Sequence, residues 1–154
     1  MGRDDRGPFP ELPDGASWSS LADEVENVLG VTIEAFIEKD HRYIVRAVNL
    51  GLVEQLFYLR LSFQHRFSEG TGEAAWIKLD YLVLDETLRC RGLGKRVVEL
   101  TKAWIGNHTG IEQVCLFARE GVDSFWTKCG FSRPPDEQRM HCFIDRGGAL
   151  PNLN

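Results

Sequence analysis

The sequence predicts an α/β domain of mixed α+β type, and three observations predict it. Apolar residues alternate at period two in successive segments between Val31 and Leu84. They recur at helical spacing from Leu93 and again from Val122. Glycine-bearing or polar turns separate the segments, giving the order α-β-β-β-β-α-β-α-β. An antiparallel N-terminal meander thus feeds a β-α-β-α-β unit.

The elements follow in order. Residues 1–16 hold Pro8, Pro10 and Pro13 with three glycines, a composition that predicts a flexible N-terminal arm. Residues 17–146 are read as a single domain and 147–154 as a C-terminal tail. Ser17–Leu29 is a helix, capped by Ser19 or Ser20 and stopped at Gly30, with Leu21, Val25, Val28 and Leu29 on one face. Val31, Ile33, Ala35 and Ile37 share one face of a strand, and Tyr43–Val48 is a second. From Val53 to Phe67 apolar residues occupy odd positions and mostly polar ones even positions, the pattern of a long half-buried antiparallel strand. Ala74–Leu84 is the fourth strand. Gly92–Gly106 is a helix, Glu112–Phe117 a strand, Val122–Cys129 a helix and Met140–Ile144 a last strand.

Composition excludes several classes. A net charge of −5 and a pI near 5.4 speak against nucleic-acid binding and suit a cationic amine as substrate. No apolar run approaches the roughly 20 residues of a membrane span, so no membrane partner is expected. The polar Met1–Arg6 lacks the apolar stretch of a secretory signal, which predicts a cytoplasmic protein with reduced thiols. The four cysteines, Cys90, Cys115, Cys129 and Cys142, show no ligand spacing, so no metal is expected.

One junction carries chemistry: Leu84-Asp85-Glu86-Thr87-Leu88-Arg89-Cys90-Arg91-Gly92-Leu93-Gly94-Lys95-Arg96. A strand ends, a glycine turn follows, and an amphipathic helix opens. Amides at a helix start lack intrahelical acceptors and sit at the positive end of the dipole, which makes an anion site suited to phosphate. Gly92 and Gly94 would keep Cβ atoms away from a diphosphate. Arg89, Arg91, Lys95 and Arg96 add positive charge in an acidic chain. GxxxxGK[ST] is absent, as is GxGxxG with a later acidic residue.

The loop Arg89-Cys90-Arg91-Gly92-Leu93-Gly94 resembles the [RQ]-x-x-G-x-[GA] signature of the GNAT N-acetyltransferase superfamily. Phe125-Trp126-Thr127-Lys128-Cys129-Gly130-Phe131 is similar to that family's F-Y-E-K-x-G-F, one helix and one strand further on. The resemblance covers about residues 76–131. It implies a GNAT-like central mixed sheet and transfer of an acetyl group from acetyl-CoA to a primary amine, small-molecule or peptide, by direct attack in a ternary complex. It also implies that main-chain groups of Leu82 and Leu84 bond the pantetheine arm. Arg89, Cys90, Arg91, Gly92, Leu93, Gly94 and Lys95 would hold the pyrophosphate, and a strand N–H near Leu84 would polarise the thioester carbonyl. A homodimer is compatible with the family.

Three positions depart from the pattern. Trp126 replaces the tyrosine that often serves as general acid, Arg119 stands for a frequent asparagine, and only Lys39–Arg42 separates the first two strands, where the family usually has helix. These departures keep open a second reading, a non-catalytic acyl-CoA sensor or protein-interaction module. Alternation puts Ile77, Leu79, Tyr81 and Val83 on one face of the fourth strand, with Lys78, Asp80, Leu82 and Leu84 on the cofactor side. Lys78 stands where some members carry a catalytic glutamate. Asp80 is the candidate base, with an internal Lys78–Asp80 or cross-strand ion pair as the alternative. His65, in an apolar stripe between Phe63 and Phe67, is a weaker base candidate.

Overall fold

A computed structural model of the protein describes residues 13–38, 42–48, 56–64, 76–85 and 92–144. The elements are α1 (Gly15–Leu29), β1 (Ile33–Glu38), β2 (Arg42–Ala47), β3 (Phe57–Gln64), β4 (Trp76–Leu84), α2 (Leu93–His108), β5 (Gln113–Leu116), α3 (Asp123–Lys128) and β6 (Met140–Phe143). Their order is the expected one.

The strands form one six-stranded mixed sheet in the order β1-β2-β3-β4-β5-β6. Strands β1 to β4 are an antiparallel meander, β4 and β5 are parallel across the α2 crossover, and β6 returns antiparallel to β5. Between β1 and β2 lie only residues 39–41, too few for a helix. The first helix over the sheet enters ahead of β1 instead.

Helix α1 starts two residues before the expected Ser17. Asp14 is the cap, its Oδ1 accepting the Ser17 N–H at 2.9 Å, because a carboxylate satisfies an orphan amide where Ser19 and Ser20 lie too far along the chain. Buried Pro13 accepts a hydrogen bond from the Tyr43 hydroxyl, so residues 13–16 of the expected arm belong to the domain. Gly30 stops the helix in the left-handed region at φ 74°, its N–H bonded to the Glu26 carbonyl.

All three helices contribute to one core with the inward residues of the strands: Trp18, Leu21 and Val25 from α1, Val97, Trp104 and Ile105 from α2, and Trp126 from α3. Tyr43, Val45, Phe57, Leu59, Leu61, Ile77 and Leu79 face them from the sheet. Trp18 is fully buried and joins three elements. Its indole N–H donates to the Ile44 carbonyl at 2.9 Å, and its ring meets Tyr43 and Trp104 edge-on at 5.3 and 4.9 Å. The Trp104 indole in turn donates to the Ser17 carbonyl at 2.8 Å. No described helix places a buried apolar residue outside this cluster. Buried Ile44 and Cys115 lie outside it, on the second face by strand alternation.

Trp18→Ala removes the ring that ties α1 to both β2 and α2. We expect a loss of about 3–5 kcal/mol in urea unfolding followed by circular dichroism, against under about 0.5 kcal/mol for exposed Ser19→Ala. Burial also pushes the thiols of Cys115 and Cys129 up to about 11 from 9.0. The folded state therefore favours the neutral thiols, and that stabilisation is full below about pH 9. It is lost between about pH 9 and 11, where the unfolded chain ionises first. The urea midpoint should fall across that interval, and less steeply in Cys115→Ala.

Candidate functional site

The site grows from one irregularity in β4. Arg60 pairs with Tyr81 and the next residue, Leu61, pairs with Leu79, so Asp80 has no register partner on β3 and forms a β-bulge. A bulge shifts the side-chain alternation by one. Ile77 and Leu79 are buried in the core, and beyond the bulge Leu82 and Leu84 pack against that same core. Tyr81 and Val83 turn outward, 49% and 40% exposed. The expected grouping of Ile77, Leu79, Tyr81 and Val83 on one face is therefore corrected. Lys78 and Asp80 lie on the face opposite Leu82 and Leu84.

The same region is where β4 leaves β5. The two strands pair only at Ile77↔Val114 and Lys78↔Cys115, while β4 continues six residues further, to Leu84. A parallel pair that parts so early opens a fork, with Lys78 at its root. Phe117, just past β5, stands on the other prong, 55% exposed, with the Lys78 ammonium 5.3 Å from its ring centroid.

Asp80 is engaged on the second face of the sheet. Its Oδ2 accepts from Arg60 Nε at 3.1 Å and from the Ser62 hydroxyl, and Oδ1 lies 3.9 Å from Lys78 Nζ. Its side chain is only 8% exposed. Burial pulls the Arg60 guanidinium down, but the hydrogen bond and charge of Asp80 more than restore it, leaving it raised. The guanidinium also lies 4.7 Å from the Tyr81 ring centroid, and Tyr58 meets Tyr81 edge-on. The ion-pair alternative for Asp80 is thus formed. Arg60, Ser62, Tyr81 and Phe117 are site residues that the sequence reading did not single out. His65, Arg89, Cys90 and Arg91 lie outside the described residues.

At the far end of the fork α2 begins. Gly92 caps it at φ 73° without a side-chain hydrogen bond, and the first intrahelical bond runs from the Arg96 N–H to the Gly92 carbonyl. Among the described residues, the amides of Leu93, Gly94 and Lys95 have no acceptor. The first turn holds no acid, and Lys95 and Arg96 stand exposed there, where the dipole disfavours cations by about 0.3–1 kcal/mol each. This end of α2 is therefore built with the sign that calls for an anion.

The two glycines have different reasons. Gly92 is required by its left-handed backbone, and a Cβ there would meet nothing. A Cβ on Gly94 would lie 3.2 and 3.3 Å from the Phe125 ring and 3.5 Å from Leu84 Cδ2. Gly94 thus admits Phe125 of α3 against the end of β4. Trp126 points into the core, 7% exposed, with Phe125 and Phe131 edge-on at 4.9 and 5.4 Å. Arg119 is exposed.

Gly94→Ala should cost about 1–3 kcal/mol by crowding Phe125, and Phe125→Leu should relieve part of that cost. Urea unfolding of the two single variants and the double variant measures the coupling; additive losses would contradict the contact.

No family model and no curated protein matches the chain. Solved structures do. The chain is similar to Arabidopsis thaliana NAA60 in complex with a bisubstrate analogue, at 12% identity and TM-score 0.54 over 90% of this chain and 98% of that one. It is similar to Tetrahymena GCN5 at 12% identity and TM-score 0.50, over 88% and 94%. It is also similar to the AtaT toxin bound to the C-terminus of the antitoxin AtaR, at 19% identity and TM-score 0.52 over 73% and 72%. With six strands in sequential order, one parallel pair forking beside a bulge, and a glycine-capped helix after β4, the chain has the GNAT fold.

Proposed function

We propose that the protein is an N-acetyltransferase that moves an acetyl group from acetyl-CoA to a primary amine by direct attack in a ternary complex. The observation that carries this reading is the fork between β4 and β5, with α2 amides that have no acceptor among the described residues and exposed Lys95 and Arg96 at its outer end. NAA60, which shares the fold, has been solved in complex with acetyl-CoA, at 12% identity and TM-score 0.52.

Bound acetyl-CoA would supply an activated carbonyl and a thiol leaving group. The amides of Leu93, Gly94 and Lys95, the Lys95 ammonium and the Arg89–Arg91 segment would hold the diphosphate. Main-chain groups of Leu82 and Leu84 would align the pantetheine arm along β4. The neutral amine forms a bond to the carbonyl carbon, the C–S bond breaks with its electron pair on sulfur, and the amine's proton passes to solvent. A thiolate needs little protonation to leave, so the loss of a tyrosine at Trp126 is tolerable.

Asp80 is assigned a positioning role. Its Oδ2 is engaged by Arg60 and Ser62 and its charge faces Lys78 at 3.9 Å, so it holds the cations of the fork in place. Asp80→Asn should raise KM and lower kcat less than tenfold, with the acidic limb of the kcat profile retained. Disappearance of that limb with a loss of about 10²-fold or more would make Asp80 the base instead. The core reading is tested by calorimetry with acetyl-CoA, which should show saturable binding that Gly92→Val weakens at least about tenfold. No binding at millimolar cofactor would remove it.

A second reading, a module that binds acyl-CoA without turnover, is favoured by Trp126, whose ring is packed in the core rather than offered to the fork. Saturable cofactor binding with no CoA released across a broad amine panel would select it.

A further inference from the structure

The second face of the sheet has no helix over it among the described residues, and it carries the ion pairs Glu34–Arg46, Asp80–Arg60 and Glu137–His141. Around the root of the fork stand Arg60, Lys78 and Arg139, of which Lys78 and Arg139 both act on the buried Cys115 thiol and Arg139 lies 5.6 Å from the Trp76 ring centroid. The single carboxylate in this group, Asp80, is 8% exposed and already shared by Arg60, Ser62 and Lys78. Lys78 is 37% exposed, and its distance to Asp80 is at the limit of an ion pair. The charge a ligand meets beside Phe117 is therefore the Lys78 ammonium, although the whole chain carries a net charge of −5. The exposed apolar residues of the fork are Tyr81 and Val83 from β4 and Phe117 from beyond β5.

Resting on the acetyltransferase reading, we infer that the acceptor is an α-amino acid with an apolar side chain, and that Lys78 binds its carboxylate. A plain amine reaches the fork as an ammonium ion and meets like charge. A carboxylate beside the amine cancels that repulsion and pairs with the exposed Lys78 ammonium. The same ammonium then favours the neutral, attacking form of the neighbouring amine. Phe117, whose ring centroid lies 5.3 Å from the Lys78 ammonium, and exposed Tyr81 receive the apolar side chain.

Phenylalanine and phenethylamine, which differ by the carboxylate, are the probes. We expect kcat/KM with acetyl-CoA to favour phenylalanine by at least about tenfold, Lys78→Gln to bring the ratio within about threefold, and Lys78→Arg to restore it. Equal use of the two amines, or a ratio unchanged in Lys78→Gln, overturns the inference. Binding of the corresponding N-acetyl products to the CoA-saturated protein, followed by NMR, separates this claim from catalysis. A preference for N-acetylphenylalanine that disappears in Lys78→Gln, without turnover of either amine, supports the carboxylate site while removing the enzymatic reading. Absence of any such preference overturns the carboxylate site whether or not the protein turns over.

Discussion

Asp80 occupies a position in β4 that no residue of β3 matches, and that extra residue does three things at once. It rotates the strand's alternation, so that Leu82 and Leu84 follow Ile77 and Leu79 into the core while Tyr81 and Val83 turn out. It lies two residues past the last β4–β5 pair, where the strands separate. It also sets a carboxylate among Arg60, Ser62 and Lys78, where two donors hold it and the ammonium faces it at 3.9 Å. The outward turn of Tyr81 and Val83 and the placing of the carboxylate both follow from one inserted residue.

The opening is kept from collapsing by the helix layer. Gly94 has no side chain, so Phe125 can stand against the end of β4 and link α2, α3 and Leu84 at the outer end of the fork. Lys102 donates to the Cys129 carbonyl at 2.7 Å and fixes the far end of α3 to α2. The α1 tryptophan holds the same layer to β2. The described helices therefore make a continuous support on one face, and none of them covers the face with Lys78, Tyr81 and Phe117.

Much of this was legible in the residues. Period-two and helical spacing gave the element order, because each strand buries one face and each helix one stripe. Glycine at Gly30 and Gly92 marked a helix stop and a helix start, where positive φ is required. Residue alternation could not show the bulge, which moves side chains without changing any residue. The one trace of it was the apolar pair Leu82 and Leu84 on what strict alternation made a polar face. Net charge pointed towards a cationic ligand, yet local charge at the fork is positive, since a sum over the chain carries no spatial information. Asp14 was passed over as a cap because the serines beyond it fit the same rule.

The central claim, that the fork and the start of α2 form a single cofactor groove, is most directly tested by amide NMR of the full chain titrated with CoA. The account predicts shifts concentrated at residues 81–84 and 92–96, with β1 and the outer half of β2 unmoved. Perturbation confined to β1, β6 or the exposed end of α1, with the fork silent, would contradict it.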